Sequence, residues 1–282
     1  MDRKTTEGEV WFMKIGIIGV GNMGTAIAEG MKKSFPEIII GLMDTDINKA
    51  KQVNETVSGK LFPADTYEDF CSYSDIIILA VKPQYLDGLF VKLSAYTRNK
   101  KIISIAAGKT ISYFVEKTGS NNIIRFMPNI AATVSESITA VSPGEHASEG
   151  FIKEAINIAE SIGKAIILSE SQMSAFTGLS GSGIAYVLLF IHALALGGTE
   201  QGIPYDQSLE IAIQTVNGAT AILNKDVQTG GEIGNPINLL TRVTSAGGTT
   251  IKGVRALEEG KLTAAVMNAV EMASKKASEL EG

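Results

Sequence analysis

From residue 14 onward, short unbroken apolar runs alternate with stretches in which apolar residues recur every three or four positions. The runs at 14–20, 38–43, 76–81 and 101–106 are rich in isoleucine and show no polar alternation. A strand that is apolar at nearly every position is buried on both faces, so these runs predict the interior of a parallel sheet covered by helices. Residues 123–127 and 165–168 predict two further strands. Helices are predicted between them at 25–33, 47–55 and 151–161, and such a strand–helix series closes by right-handed crossovers.

Beyond Ser169 the strand pattern stops. Ser169 with Gln172 three places on resembles a capping box. Glycines at 178, 181 and 183 then interrupt the periodicity before the most apolar stretch of the chain, 184–196. That stretch is too short to cross a bilayer and carries His192, so it predicts a buried core helix and no membrane span. Further helices are predicted at 204–223, 237–243, 250–259 and 263–280, with a Gly/Asn/Pro loop at 229–236. Several are apolar around most of their circumference, more surface than this segment can cover alone, which predicts a partner subunit here. The expected organisation is an extension at 1–12, a sheet domain at 13–169 and an all-helical domain at 170–282.

Composition narrows the function. A chain of 282 residues has room for two ordinary domains. Its net charge of −5 and pI near 5.3 argue against a sequence-independent grip on nucleic acid. The one cysteine, Cys71, rules out an internal disulfide and a cysteine-built metal site; it reads as a small hydrophobe and suits a reducing cytoplasm. Residues 1–12 are polar and acidic ahead of Trp11 and lack the apolar core of a signal peptide. With Met13 directly before the first strand, they are expected to be a loose extension or a remnant of start-site choice. No Ser/His/Asp array, carboxylate pair or metal-ligand cluster is visible.

Gly19-Val20-Gly21-Asn22-Met23-Gly24 lies between the first predicted strand and the helix after it. Gly19 permits the tight turn, Gly21 lets the backbone approach a pyrophosphate, and Gly24 allows close helix–strand packing. The helix N-terminus offers free N–H groups and a positive dipole end to that phosphate. Asp44 follows Gly24 by 20 residues, against roughly 20 expected for the acid that accepts the adenosine ribose hydroxyls. In this setting the motif predicts a Rossmann-type dinucleotide-binding domain. A 2′-phosphate would meet the negative charge of Asp44, so NAD(H) is favoured and NADP(H) is left as the alternative. Asp46 reads rather as a turn or N-cap residue of the next helix than as a ribose contact, and Lys49 is the nearest cation.

Five further stretches resemble the pyrroline-5-carboxylate reductase family, and together they cover the chain from Met13 to its end. They are Ala80-Val81-Lys82-Pro83-Gln84, Ser104-Ile105-Ala106-Ala107-Gly108, Arg125-Phe126-Met127-Pro128-Asn129, Leu179-Ser180-Gly181-Ser182-Gly183 continuing to Tyr186, and Val243-Thr244-Ser245-Ala246-Gly247-Gly248-Thr249-Thr250. The last resembles the family's signature segment. The first three sit at predicted strand ends, where ligands of such sheets bind. The resemblance therefore implies cofactor contacts at Ala80, Val81, Lys82, Pro83, Ala107 and Asn129, besides Gly19, Gly21, Asn22, Met23, Gly24 and Asp44. It also departs from the family's pattern. Proline is usual where this chain has Ile184 and Ala246, an Arg-Asp pair where it has Leu240-Thr241, and Thr-Pro where it has Ile130-Ala131. An acid is usual at His192, which reads here as a satisfied core or interface histidine. An asparagine that helps hold the cofactor in many relatives has no counterpart near 61–65.

The fold class implied is α/β, a Rossmann-type parallel-sheet domain followed by an all-helical dimerisation domain. The implied activity is NAD(P)H-dependent reduction of the C=N bond of 1-pyrroline-5-carboxylate to proline in the cytoplasm. Physically, Gly247-Gly248 opening a helix forms a nest of N–H groups that can cradle a carboxylate, with Ser245 and Thr249 beside it. Thr250 is the expected catalytic residue, its hydroxyl near the imine nitrogen. The small imino acid is the expected ligand, and the resemblance implies an interlocked homodimer, commonly built into a ring of dimers. β-Hydroxyacid relatives use a lysine on the helix opening the second domain; residues 169–196 contain none. The remaining rival readings are a reductase of the same superfamily acting on a different imine and a non-catalytic NAD(P)H-sensing homologue, against the second of which the intact Gly-Gly-Thr-Thr segment speaks.

Overall fold

A computed structural model describes residues 13–228 and 234–281. The extension at 1–12 and residues 229–233 of the expected loop lie outside the described residues. The chain forms β1 (Ile15–Ile18), α1 (Asn22–Ser34), β2 (Ile40–Met43), α2 (Ile47–Val57), β3 (Lys60–Phe62), α3 (Tyr67–Tyr73) and β4 (Ile76–Leu79). It continues through α4 (Leu86–Leu93), β5 (Lys101–Ser104), α5 (Ile111–Thr118), β6 (Ile123–Met127), β7 (Ser137–Pro143), α6 (Glu149–Glu160) and β8 (Gly163–Ile167). The eight strands form one sheet in the order β3-β2-β1-β4-β5-β6-β7-β8.

All neighbouring strands are parallel except β6 and β7, which pair antiparallel with Phe126 opposite Val141. Each central strand feeds both layers, as period-2 side-chain alternation requires. Ile15, Ile17, Ile76 and Ile78 pack with Ile27 and Met31 of α1 and Phe151 and Ile158 of α6. Ile18, Ile77 and Leu79 face the other way, onto Phe70 of α3, Phe90 of α4 and Phe114 of α5. The sequence pattern places six of these strands. It misses β3, a three-residue edge strand with its first two residues at least part-exposed, and β7, whose Ser-Ile-Thr-Ala-Val-Ser-Pro run is broken by hydroxyls.

The chain divides into two compact units, Met1–Ser182 with Met272–Gly282, and Gly183–Glu271. The contact division thus falls after Ser182, because α7 (Met173–Phe176) buries Met173 and Phe176 with Ala140 of β7. The C-terminal half of α12 (Leu262–Glu281), from Met272 on, belongs to the sheet unit, where its end joins a charged cluster. Arg125 on β6 is buried and reaches Glu170 at 2.7 Å and Glu281 at 2.6 Å. Glu170 also accepts the Ile111 N–H, and Ser174 donates to Glu281. A buried guanidinium is tolerable only with such partners on its donors.

The second unit is helical: α8 (Gly183–Glu200), α9 (Tyr205–Gln228), α10 (Pro236–Val243), α11 (Thr249–Glu259) and the start of α12. Gly198 lets α9 come close, since a Cβ there would lie 2.6 Å from the Ser208 hydroxyl. His192 Nδ1 pairs with the Tyr205 hydroxyl at 2.9 Å, although the ring is exposed rather than buried. The expectation that residues 184–196 form a buried core helix fails. Ala195 is the one buried residue of α8, while Leu188 and Leu189 are 61% and 68% exposed. The described residues of the single chain leave this apolar helix largely uncovered. The continuous helical run Glu170–Glu200 is 31 residues, long and apolar enough by length and composition to cross a membrane.

Candidate cofactor and substrate sites

β1 ends at Ile18, and Gly19 takes a left-handed φ of +96° that turns the chain toward α1. Its N–H donates to the Met43 carbonyl at 2.8 Å. A Cβ on Gly24 would fall on the Gly19 carbonyl oxygen, so the helix can sit this close only on glycine. At Gly21, by contrast, an added Cβ meets nothing within 4 Å. Gly21 is the N-cap of α1 and supplies no side-chain cap, which leaves the first N–H groups of the helix free for an anion.

Asp44, at the end of β2, braces this loop. Its carboxylate accepts the Val20 N–H at 2.8 Å and the Asp46 N–H at 2.8 Å. Asp46 is itself the N-cap of α2, accepting the N–H groups of Asn48 and Lys49, so the capping reading holds for it. A cleft of about 590 Å³ brings together Gly19, Gly21, Asp44, Ala80, Val81 and Lys82. Open space over Gly21, a free helix end and a ribose-side carboxylate fit a dinucleotide.

Other expected positions lie outside the lining of this cleft. Asn22 lines the adjoining groove with Gly21, Met23 packs on the core, and Pro83 starts a short 3₁₀ turn after Lys82. Ala107 is half-buried beyond β5, and Asn129 is buried beyond β6. Sequence reasoning missed Tyr67, Tyr85 and Lys92, which also line the cleft; nothing in their spacing distinguishes them from ordinary helix-face residues. Burial, then the Asp65 carboxylate, raises the Tyr67 phenol and keeps it a neutral donor. Burial likewise pushes the Cys71 thiol up to about 11, so it is unreactive near neutral pH.

In the helical unit, Gly247 is left-handed at φ +69° and Gly248 is the N-cap of α11, again without a side-chain cap. The expected cradle needs one correction. The Gly248 N–H is not free for a carboxylate, because it closes the turn onto the Ser245 carbonyl at 3.1 Å. Gly248 therefore contributes space, and the unspent donors are the N–H groups of Thr249 and Thr250 at the helix start. Ser245, Thr249 and Thr250 are all exposed in the single chain.

Residues 170–280 match a family model described as pyrroline-5-carboxylate reductase dimerisation, and residues 14–108 one described as NADP oxidoreductase coenzyme F420-dependent. A pyrroline-5-carboxylate reductase of Methanosarcina acetivorans is 39% identical over 272 residues, covering 95% of this chain and 97% of that protein. One of Arabidopsis thaliana is 38% identical, covering 95% of each. The solved Plasmodium falciparum pyrroline carboxylate reductase with NADP bound superposes with a TM-score of 0.82 at 27% identity, covering 96% of this chain and 99% of that one.

The two loop glycines should respond differently to substitution. Gly21→Val fills open space, so it should leave the thermal transition in place and weaken ADP-ribose binding by at least about ten-fold. Gly24→Ala should instead lower stability by roughly 1–3 kcal/mol, through overpacking against Gly19. Calorimetry with nucleotide titration separates them, and unweakened binding in folded Gly21→Val would remove Gly21 from the phosphate site.

Proposed function

The chain belongs to the pyrroline-5-carboxylate reductase family, and from that premise we propose how its residues divide the reaction. It is an NAD(P)-dependent oxidoreductase that reduces the C=N bond of 1-pyrroline-5-carboxylate to L-proline, the closing step of proline biosynthesis. The observation that carries this is end-to-end similarity to curated reductases in a chain whose glycine loop is open at Gly21.

The cofactor, when bound, supplies the hydride. The protein binds and orients the substrate and excludes water from it. We assign the substrate carboxylate to the N–H groups of Thr249 and Thr250 with the Ser245 hydroxyl, in space kept by Gly247 and Gly248. The Thr250 hydroxyl is placed at the imine nitrogen, which becomes a neutral secondary amine. On the cofactor side, Gly19, Gly21, Asn22 and the start of α1 take the pyrophosphate, with Met23 and Gly24 fixing that helix. Ala80, Val81, Lys82 and Pro83 line its path, and Ala107 and Asn129 serve the nicotinamide end.

Cofactor choice rests on Asp44. Its two engaged carboxylate oxygens keep lone pairs for ribose hydroxyls, and its charge opposes a 2′-phosphate, which favours NADH. Lys49, Lys82 and Lys92 line the same cleft and soften that opposition. The protein oligomerises through its helical segment. We propose a homodimer that covers the exposed face of α8, assembled further into a ring of dimers, in the cytoplasm. Light scattering that found a folded, active monomer at micromolar concentration would refute the dimer.

Asp44→Ser should cut kcat/KM for NADH by about ten- to hundred-fold, the worth of a charged hydrogen bond, and shift preference toward NADPH. A wild-type enzyme that already prefers NADPH ten-fold would contradict the Asp44 assignment. Thr250→Ala keeps the backbone N–H, so its main loss should be in kcat, toward the low end of the 10²–10⁴ range or below. That loss should shrink as pH falls and more of the substrate arrives as iminium. Gly248→Val should raise KM for the imino acid and leave cofactor binding unchanged, since its side chain would crowd the Ser245 hydroxyl. Steady-state kinetics with racemic pyrroline-5-carboxylate across pH 6–9 checks both; wild-type behaviour of Thr250→Ala throughout removes that hydroxyl from the mechanism.

A further inference from the structure

Asn129 lies just beyond β6, is 6% exposed, and has nearly all its polar capacity committed. Its backbone N–H donates to the Ser137 hydroxyl at 3.1 Å, and its carbonyl accepts the Ala132 N–H at 3.0 Å. The side-chain Oδ1 accepts the Ala131 N–H at 3.1 Å. A backbone N–H can only donate, so this contact fixes which end of the amide is oxygen. Nδ2 must then face Ser180, whose hydroxyl accepts from it at 3.0 Å. One Nδ2 proton remains unspent.

Ser180 reaches this position from an unusual backbone. Residues Thr177–Gly181 form a π-helical turn, closed by the Ser182 N–H on the Thr177 carbonyl at 2.9 Å. Such turns insert one residue into a helix and recur at functional sites. The turn packs closely on the segment before Asn129, since a Cβ on Gly181 would lie 3.5 Å from Met127 Cε. Without the extra residue, Ser180 would be rotated by about 100° about the helix axis.

We propose that Ser180 is a positioning residue for the nicotinamide end of the cofactor. It holds the Asn129 amide in one orientation, leaving the second Nδ2 proton as a fixed donor to the cofactor's carboxamide oxygen. The inference rests on the dinucleotide reading of the sheet unit and adds a residue that reading does not contain. Removing the hydroxyl leaves both Nδ2 protons without a protein acceptor and the Ala131 N–H as the one remaining tie on the side-chain amide. The amide is then free to twist about that tie, while the residues lining the cleft are untouched.

The test compares NADH with ADP-ribose, which lacks the nicotinamide, by equilibrium titration of the full-length protein. Ser180→Ala should weaken NADH by about ten-fold, the scale of one hydrogen bond, and leave ADP-ribose affinity unchanged. Ser180→Thr, which keeps the hydroxyl, should restore NADH binding. Asn129→Asp, which keeps the Oδ1 acceptor and loses both Nδ2 protons, should reproduce the Ser180→Ala pattern and serves if that variant does not fold. Equal loss for both ligands would make Ser180 a structural brace only, and unchanged NADH binding would remove it altogether; either overturns the proposal. Absent activity on pyrroline-5-carboxylate with intact nucleotide binding would instead overturn the substrate reading.

Discussion

β1 and β2 run parallel in register, with Ile18 beside Met43, so the two strands release the chain at the same height. Two hydrogen bonds cross at that edge. The Gly19 N–H goes to the Met43 carbonyl, and the Val20 N–H goes to the Asp44 carboxylate. Together they hold the loop at the left-handed turn from which α1 starts. A glycine-rich loop has the largest conformational entropy to lose, so without these ties it would not present a fixed set of donors. The cleft, its carboxylate and the free end of α1 all depend on this crossing. Asp44 braces the loop with the same carboxylate that is proposed to meet the ribose.

Four helix starts elsewhere in the chain are closed by side chains, while those of α3, α4 and α7 are not. Asp46 caps α2, Thr110 caps α5, Ser148 caps α6 and Asn235 caps α10. α1 and α11 start instead from Gly21 and Gly248, with no side chain on the first N–H groups. An uncapped start costs helix stability unless something else meets the donors. A glycine at the N-cap, with no side chain to cover those donors, is the physical ground for proposing a pyrophosphate at one start and a carboxylate at the other. The donors proposed at both starts are main-chain N–H groups, whose positions the backbone itself fixes.

Much of this was legible because the relevant signals are local. The continuous apolar runs marked the central strands, since a strand buried on both faces admits no polar alternation. The glycine spacing and Asp44 located the dinucleotide loop for steric and electrostatic reasons visible in a few residues. β3 and β7 escaped because their stability comes from pairing with β2, β6 and β8, and not from their own composition. The tie of Glu281 to Arg125 spans 156 residues and leaves no local trace. Tyr67 and Lys92 reach the cleft only through packing of α3 and α4. The Gly248 N–H was misassigned because its turn back to Ser245 depends on the left-handed Gly247, and sequence alone does not say which donor a turn consumes.

The π turn at Thr177–Gly181 sets the rotational phase of α8. Helical periodicity read across residues 170–200 assumes one wheel, but the inserted residue splits it into two wheels offset by about 100°. Positions seven apart on opposite sides of Ser180 therefore do not share a face, however alike their side chains. An evolving sequence could lose or gain one residue at this point and keep an unbroken helix. In this chain the apolar run of α8, with Leu188 and Leu189, has to be read on its own wheel and not on that of Met173 and Phe176.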